Sequence, residues 1–366
     1  MLEKFKNYSV IIMISTFIAV FTIAFIFSPA RQTSQTERRP LAQKPVFSTE
    51  TVLNGKFMSD FEKFTLDQFP MRESFRTLKS VVSFFPMGKK DNNGIYISNG
   101  FASKLDYPLS KKSLDYASKR FSHVYNKYLS DANCNVYFSL IPDKNYFLAE
   151  KNNYPAIDYA KMVTILRNNL DFARYIDIFP LLRLNDYYKT DTHWKQENIG
   201  PVAEHIAESM DTKYSDKYSV TTLDKPFYGV YYGQAALPMQ ADRISYIYSP
   251  TFDNCRVFDF ETNHEMAVYD MEKAYSSDPY EMFLSGAKSL LTIENPYALT
   301  KKELVMFRDS FASSLAPYLI ECYSKITLVD IRYISPEILD NFISFENCDV
   351  LFLYSTLVLN NSNMIK

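Results

Sequence analysis

Of the four histidines in this 366-residue chain, His193 has the neighbours that chemistry needs. It lies in residues 187–194, YYKTDTHW, with Asp191 two positions before it and the single tryptophan, Trp194, directly after. In an irregular segment an Asp-x-His pair lets the carboxylate hold the imidazole N–H. That fixes the tautomer and raises the basicity of the other ring nitrogen. The plain alternative is a hydrogen-bonded structural histidine, the reading that suits His205 on the polar side of its helix. Trp194 can pack the imidazole in place or stack on a sugar ring.

Ser310 is the nucleophile that would match this base. It ends the run Leu304-Val305-Met306-Phe307-Arg308-Asp309 and precedes a helical pattern. Ligands of open parallel sheets bind beyond the carboxyl ends of the strands. A hydroxyl there stands beside the first backbone N–H groups of a helix, which favour a developing oxyanion. The alternative is an N-cap serine. A hydroxyl nucleophile needs a base in reach, and the base needs an orienting group. Asp191, His193 and Ser310 supply the three types. Lys144, after a strand end, is a candidate for the same cleft or a solvated lysine. Arg308 is a candidate to narrow the site or bind an anionic group. Asp309 reads as structural, because adjacent side chains diverge. No P-loop, dinucleotide-binding glycine turn, metal-ligand histidine cluster or G-x-S-x-G elbow occurs.

Elements able to position these residues follow from periodicity. Strands are expected at 94–97, 134–141, 303–308, 325–332 and 349–355. Helices are expected at 113–130, 158–171, 195–210, 311–323 and near 336–345. Short apolar strands alternating with amphipathic helices argue for a mostly parallel sheet covered on both faces. Residues 215–280, rich in Tyr and Asp, read as an insertion. The 29 Phe and 28 Tyr against 8 Gly suit packed sheets or sugar stacking, and equally a codon bias. A net charge of −2 with no long basic run gives no sign of a nucleic-acid partner. The cysteines, Cys134, Cys255, Cys322 and Cys348, form no C-x-x-C pair. They read as free thiols, with one disulfide open in an oxidising compartment.

Residues 9–28 carry no charge and are long enough to cross a bilayer as a helix. The run exceeds the 7–15-residue apolar core of a signal peptide, which favours an uncleaved anchor, although Ser28-Pro29-Ala30 is a small-x-small site. Residues 1–30 are thus a single membrane anchor or signal. Residues 31–85 are a linker followed by a juxtamembrane helical segment over 49–85. Residues 86–366 form the α/β domain, expected outside the cytoplasm because long domains translocate regardless of nearby charge.

The stretch from Lys189 to Trp194, with Arg308-Asp309-Ser310, resembles the family named for its Asp-His-His-Trp motif, close to the SGNH-type domains of alginate O-acetylation proteins. Other segments fall in the same order: Arg39-Pro40-Leu41, Asp67-Gln68-Phe69-Pro70, Pro142-Asp143-Lys144, residues 280–286, residues 291–296 and residues 329–333. The resemblance implies an SGNH-hydrolase-like three-layer fold and a Ser310–His193–Asp191 acyl-transfer site. It also implies acetyl transfer on a cell-surface or secreted polysaccharide, beside a membrane-bound O-acyltransferase and without a cofactor or metal. A carbohydrate esterase uses the same residues with water as acceptor. A non-catalytic glycan-binding or scaffold subunit is the third reading. Two positions depart from the pattern. Thr192 replaces the middle His, and Arg308 stands where SGNH hydrolases have Gly. Asn145, Gly286, Asn360 and Asn361 are candidate oxyanion donors.

Overall fold

The computed structural model describes residues 2–366, with side chains described from residue 5. The chain divides into two compact units, Met1–Asn92 with Gly233–Pro238, and Asn93–Tyr232 with Met239–Lys366.

The smaller unit begins with helix α1 (Leu2–Phe27). Its stretch Phe5–Phe27 is long and apolar enough to cross a membrane. The helical stretch expected over 49–85 is broken into Thr49–Leu53, α2 (Lys56–Asp67) and α3 (Arg72–Phe84). The breaks fall where the chain turns left-handed, at Gly55 (φ 76°) and at Met71 (φ 55°) after Pro70. Glycine accepts the first at no steric cost. Polar contacts hold the pieces together. Asp67 receives both Arg39 guanidinium arms at 2.9 and 2.7 Å and the Ala42 N–H at 2.9 Å. The Arg39 bonds hold the Asp67 carboxyl down to about 2. Arg76 donates to the Gly233 carbonyl at 2.7 Å, and Ser80 to the Ala235 carbonyl at 2.6 Å.

The larger unit is built on an eight-stranded sheet. In chain order its strands are β1 (Asn135–Ile141), β2 (Arg174–Ile176), β3 (Arg256–Asp259), β4 (His264–Met266), β5 (Leu290–Glu294), β6 (Glu303–Arg308), β7 (Lys325–Val329) and β8 (Cys348–Ser355). Their spatial order is β4-β3-β5-β7-β6-β8-β1-β2. From β7 to β2 every pairing is parallel, and β5, β3 and β4 add antiparallel strands at one edge. The region read as an insertion therefore does two things. It forms a separate hairpin, Ser219–Phe227 with Asp242–Tyr248, and it supplies β3 and β4 to the sheet.

Helices α4 (Lys111–Val124), α5 (Tyr159–Asn169), α6 (Gly200–Ser209) and α7 (Ala312–Leu319) cover the sheet. Strand side chains alternate between faces. Leu304 and Met306 of β6 accordingly pack with Val202 and Ile206 of α6 and Leu315 and Leu319 of α7. Val305 and Phe307 face Leu114 and Phe121 of α4 and Met162 of α5. The result is a three-layer α/β/α sandwich with β6 central in its parallel part. The helix expected near 336–345 is a short 3-10 turn, Pro336–Asn341. All four cysteines are free thiols, with Cys134 Sγ and Cys348 Sγ facing at 3.1 Å.

Candidate active site

Strand β6 delivers Ser310 to the carboxyl end of the parallel strands. It runs between two parallel neighbours, with Arg308 paired to Leu353 as its last ladder position. The chain then turns through Asp309 and Ser310 into α7. The role expected of an N-cap serine falls to Asp309, whose carboxylate accepts the Phe311 N–H at 3.0 Å and the Ser355 N–H at 2.7 Å. The helix has no side-chain cap bond at Phe311. The Ser310 hydroxyl is thereby spared from capping and meets His193 Nε2 at 2.8 Å.

His193 is presented by a tight loop. Tyr187 and Trp194 bridge across its base, and the Tyr188 N–H donates to the His193 carbonyl at 3.1 Å. Inside the loop Asp191 Oδ1 lies 2.6 Å from His193 Nδ1 and accepts the His193 backbone N–H at 3.0 Å. Asp191 Oδ2 accepts the Val230 N–H at 2.9 Å. An ionised carboxylate only accepts, so Nδ1 carries the proton and Nε2 is left to accept from the Ser310 hydroxyl. The row Asp191–His193–Ser310 is thus continuous across residues 117 apart.

Two staples bring these distant segments together. Trp194 donates its indole N–H to the Phe311 carbonyl at 3.1 Å and to Ser314 Oγ at 2.8 Å. Gln196 Nε2 donates to the Ser314 carbonyl, and the Tyr318 hydroxyl to the Gln196 carbonyl, both at 2.8 Å. The neighbours of His193 are therefore bonded to the neighbours of Ser310. Burial of the whole indole adds on the order of 4 kcal/mol to this join.

Other contacts fix the imidazole plane and the loop. The Tyr280 ring stacks on His193 at 3.8 Å between centroids and 8° between planes, and its hydroxyl meets Ser314 Oγ at 2.9 Å. Asp242 grips the loop at three points, the N–H of Lys189, the N–H of Thr190 and the Thr190 hydroxyl, at 2.9, 2.8 and 2.6 Å. Gly229 passes so close that a Cβ there would lie 2.2 Å from Asp191 Cβ.

The residues expected to meet substrate lie elsewhere. Trp194, Lys144 and Arg308 are all buried, so none offers a face to a sugar. Lys144 donates to the carbonyls of Tyr188 at 2.8 Å and Lys189 at 3.3 Å, and sits 5.0 Å from the Tyr231 ring centroid. Burial pushes its ammonium down to about 7, against the pull of Asp191, Asp242 and Asp143. Arg308 donates to Ser313 Oγ at 3.0 Å and to the carbonyls of Asp309 and Lys288 at 3.4 Å, and burial lowers its pKa. An arginine in place of glycine thus braces the turn around Ser310 from within.

The expected oxyanion donors are also committed. The N–H groups of Phe311, Ala312 and Ser313 bond to Asp309 Oδ1, the Asp309 carbonyl and the Ser310 carbonyl. Asn145 donates to the Pro155 carbonyl, Asn360 and Asn361 to Asp106, and the Gly286 N–H to the Phe283 carbonyl. Gly229, Asp242 and Gln196 carry no local sequence signal, since each acts through the backbone or at long range. Tyr280 is marked in the sequence only as part of residues 280–286.

No protein-family model matches this chain, and no curated protein matches it. Solved structures share its fold. A DHHW family protein from Eubacterium siraeum aligns with a TM-score of 0.59 at 20% identity, over 75% of this chain and 95% of that one. Bacillus cereus PatB1, in a structure with a sulfonyl adduct, gives a TM-score of 0.59 at 18% identity, over 74% and 97%. A second PatB1 structure gives 0.55 at 18% identity, over 74% and 98%. The group indicated by the DTHW motif is therefore one whose fold this chain shares.

Proposed function

We propose that this protein is a membrane-anchored O-acetyltransferase whose larger unit works outside the cytoplasm on a cell-surface or secreted polysaccharide. The observation that carries the reading is the Asp191–His193–Ser310 row, in which the serine hydroxyl is free of capping and bonded to the base. The motif order supports the substrate class, and the fold shared with the DHHW protein and PatB1 supports the scaffold.

In the first half-reaction His193 Nε2 takes the Ser310 proton as Oγ attacks the acetyl carbonyl carbon. The bond to the donor's leaving group breaks, and that group leaves with the proton from His193. Acetyl-Ser310 remains. A sugar hydroxyl then gives its proton to His193 and attacks the acetyl carbon, and Ser310 leaves with that proton. Asp191 holds the imidazole tautomer and stabilises the imidazolium in both halves. Water as acceptor would make the same site an esterase. A membrane-bound O-acyltransferase is the partner that would supply acetyl groups.

The test is acetyl-ester turnover by the full-length chain in detergent or vesicles, with an oligosaccharide present. Ser310-dependent formation of acetylated sugar is expected. Ser310-dependent release of acetate alone makes the protein an esterase. Turnover equal in wild type and Ser310→Ala, with both folded, removes the enzymatic reading.

A further inference from the structure

Helices α2 and α3 are built inside out. The side chains they bury are polar: Asp67 in α2, and Ser80 and Ser83 in α3. Phe57, Phe64, Phe75 and Phe84 are half-buried, and a further set of large apolar side chains stays outside. On α3 and its flanks Met71, Leu78, Val82 and Phe85 recur at intervals of seven, four and three residues, which places them on one stripe. Met71 is 66% exposed, Leu78 57% and Phe85 77%. On α2, Met58 and Leu66 are exposed likewise. An apolar stripe of this length left open to water would be an association hazard in a soluble protein.

What covers the stripe is indicated by what it adjoins. Phe69 stacks on Phe21 of α1 at 5.4 Å, Phe75 meets Phe21 at 5.5 Å, and Phe64 meets Phe25 at 5.6 Å. Phe21 lies six residues before Phe27, about 9 Å along the helix axis at ~1.5 Å per residue. Helices lying in a bilayer interface bury their apolar face by about 5–10 Å. The contacts thus put α2 and α3 at interfacial depth once α1 spans. Phe17, Phe21 and Phe25 also wall an apolar groove with Thr65 and Phe69, about 290 Å³ in volume, the kind of space an acyl chain fills.

We infer that α2 and α3 lie in the membrane interface, with the Met71–Leu78–Val82–Phe85 stripe and Leu66 immersed in lipid and acyl chains seated in the groove against α1. This rests on reading α1 as a membrane span. The segment is then a second, interfacial anchor rather than a free tether.

Depth-dependent quenching tests it on the full-length chain in phosphatidylcholine vesicles whose acyl chains carry bromine near the headgroup or near the methyl end. Leu66→Trp, Leu78→Trp and Phe85→Trp report the stripe, Ile12→Trp the span and Tyr297→Trp, at a position 69% exposed on the larger unit, the aqueous control. The native Trp194 adds the same background to each. Strong quenching of the three stripe positions by shallow bromine is expected, with Tyr297→Trp unquenched and Ile12→Trp quenched by deep bromine. If Ile12→Trp is quenched while the stripe behaves as Tyr297→Trp does, the span stands and the interfacial placement is overturned. If Ile12→Trp is quenched by neither lipid, the span itself falls, and this inference with it.

Discussion

The two compact units sort polar and apolar side chains in opposite ways. In the larger unit α6 and α7 turn Val202, Ile206, Leu315 and Leu319 toward the sheet, and polar groups gather at the end of β6 around Ser310. In the smaller unit α2 and α3 turn Asp67, Ser80 and Ser83 inward and leave Leu66, Leu78 and Phe85 outside. The first arrangement is what the proposed acyl-transfer site requires, and the second is what the inferred interfacial placement requires. The same polar residue types therefore serve different ends. In the larger unit they hold His193 against Ser310, whereas in the smaller one they fill the buried positions of α2 and α3. Removing one should cost rate in the first case and stability in the second.

Asp191→Asn gives the largest separation expected. The amide can present its N–H to Nδ1, which reverses the tautomer, and turnover should fall by about 10³–10⁴-fold with the melting temperature nearly kept. A rate within a few fold of wild type would mean Asp191 does not orient the base. Gly229→Ala comes next. The new methyl would overlap Asp191 Cα at 2.4 Å, and both atoms are fixed by the loop. Displacing the carboxylate should lower turnover by about 10²-fold and stability by roughly 2 kcal/mol, read from steady-state rates and denaturant midpoints. Unchanged rates would show that the loop yields without moving Asp191.

Lys144→Met sharpens the contrast, because Lys144 is a buried charge that braces the loop. Its folded value near 7 lies below the ~10.4 of an unfolded lysine. Between those limits the unfolded chain binds a proton that the folded chain does not, so this residue adds stability as pH rises from about 7. Denaturant unfolding of wild type should show that rise, on the order of 1 kcal/mol per pH unit, and the methionine variant should lose it. An identical slope in both would place the Lys144 titration elsewhere. Asp67→Asn probes the smaller unit. It weakens a partly exposed pair with Arg39, so the loss should be about 1 kcal/mol. Its effect belongs to neutral pH and disappears as pH falls toward the depressed value near 2. Ser310-dependent turnover should stay at the wild-type level, and a large fall in rate would break the division of labour.

Much of this was legible in the sequence because it is local. Strand β6, the helix after it and the Asp-x-His spacing are all written within a few residues, and apolar periodicity marks the central strands and their mostly parallel arrangement. The joining of the site was not legible. Trp194 looked like a sugar platform because an indole suits either role, and only its bonds to Phe311 and Ser314 show it to be a staple. Arg308 reads in the sequence as narrowing the site or binding an anionic group and Lys144 as a cleft or solvated lysine, since nothing local says that a charge will be satisfied by backbone carbonyls inside. Strands β3 and β4 were hidden in a stretch with irregular spacing, because short edge strands carry little period-two signal.

If Ser310 is an activated nucleophile, it should react with an electrophile that labels such serines covalently. The full-length protein would be treated with a sulfonyl fluoride, and the modified residue located by peptide mass spectrometry. One adduct is expected, on Ser310, formed far more slowly in His193→Ala and absent in Ser310→Ala. A folded protein that gains no adduct at Ser310, or gains it equally fast without His193, would contradict it.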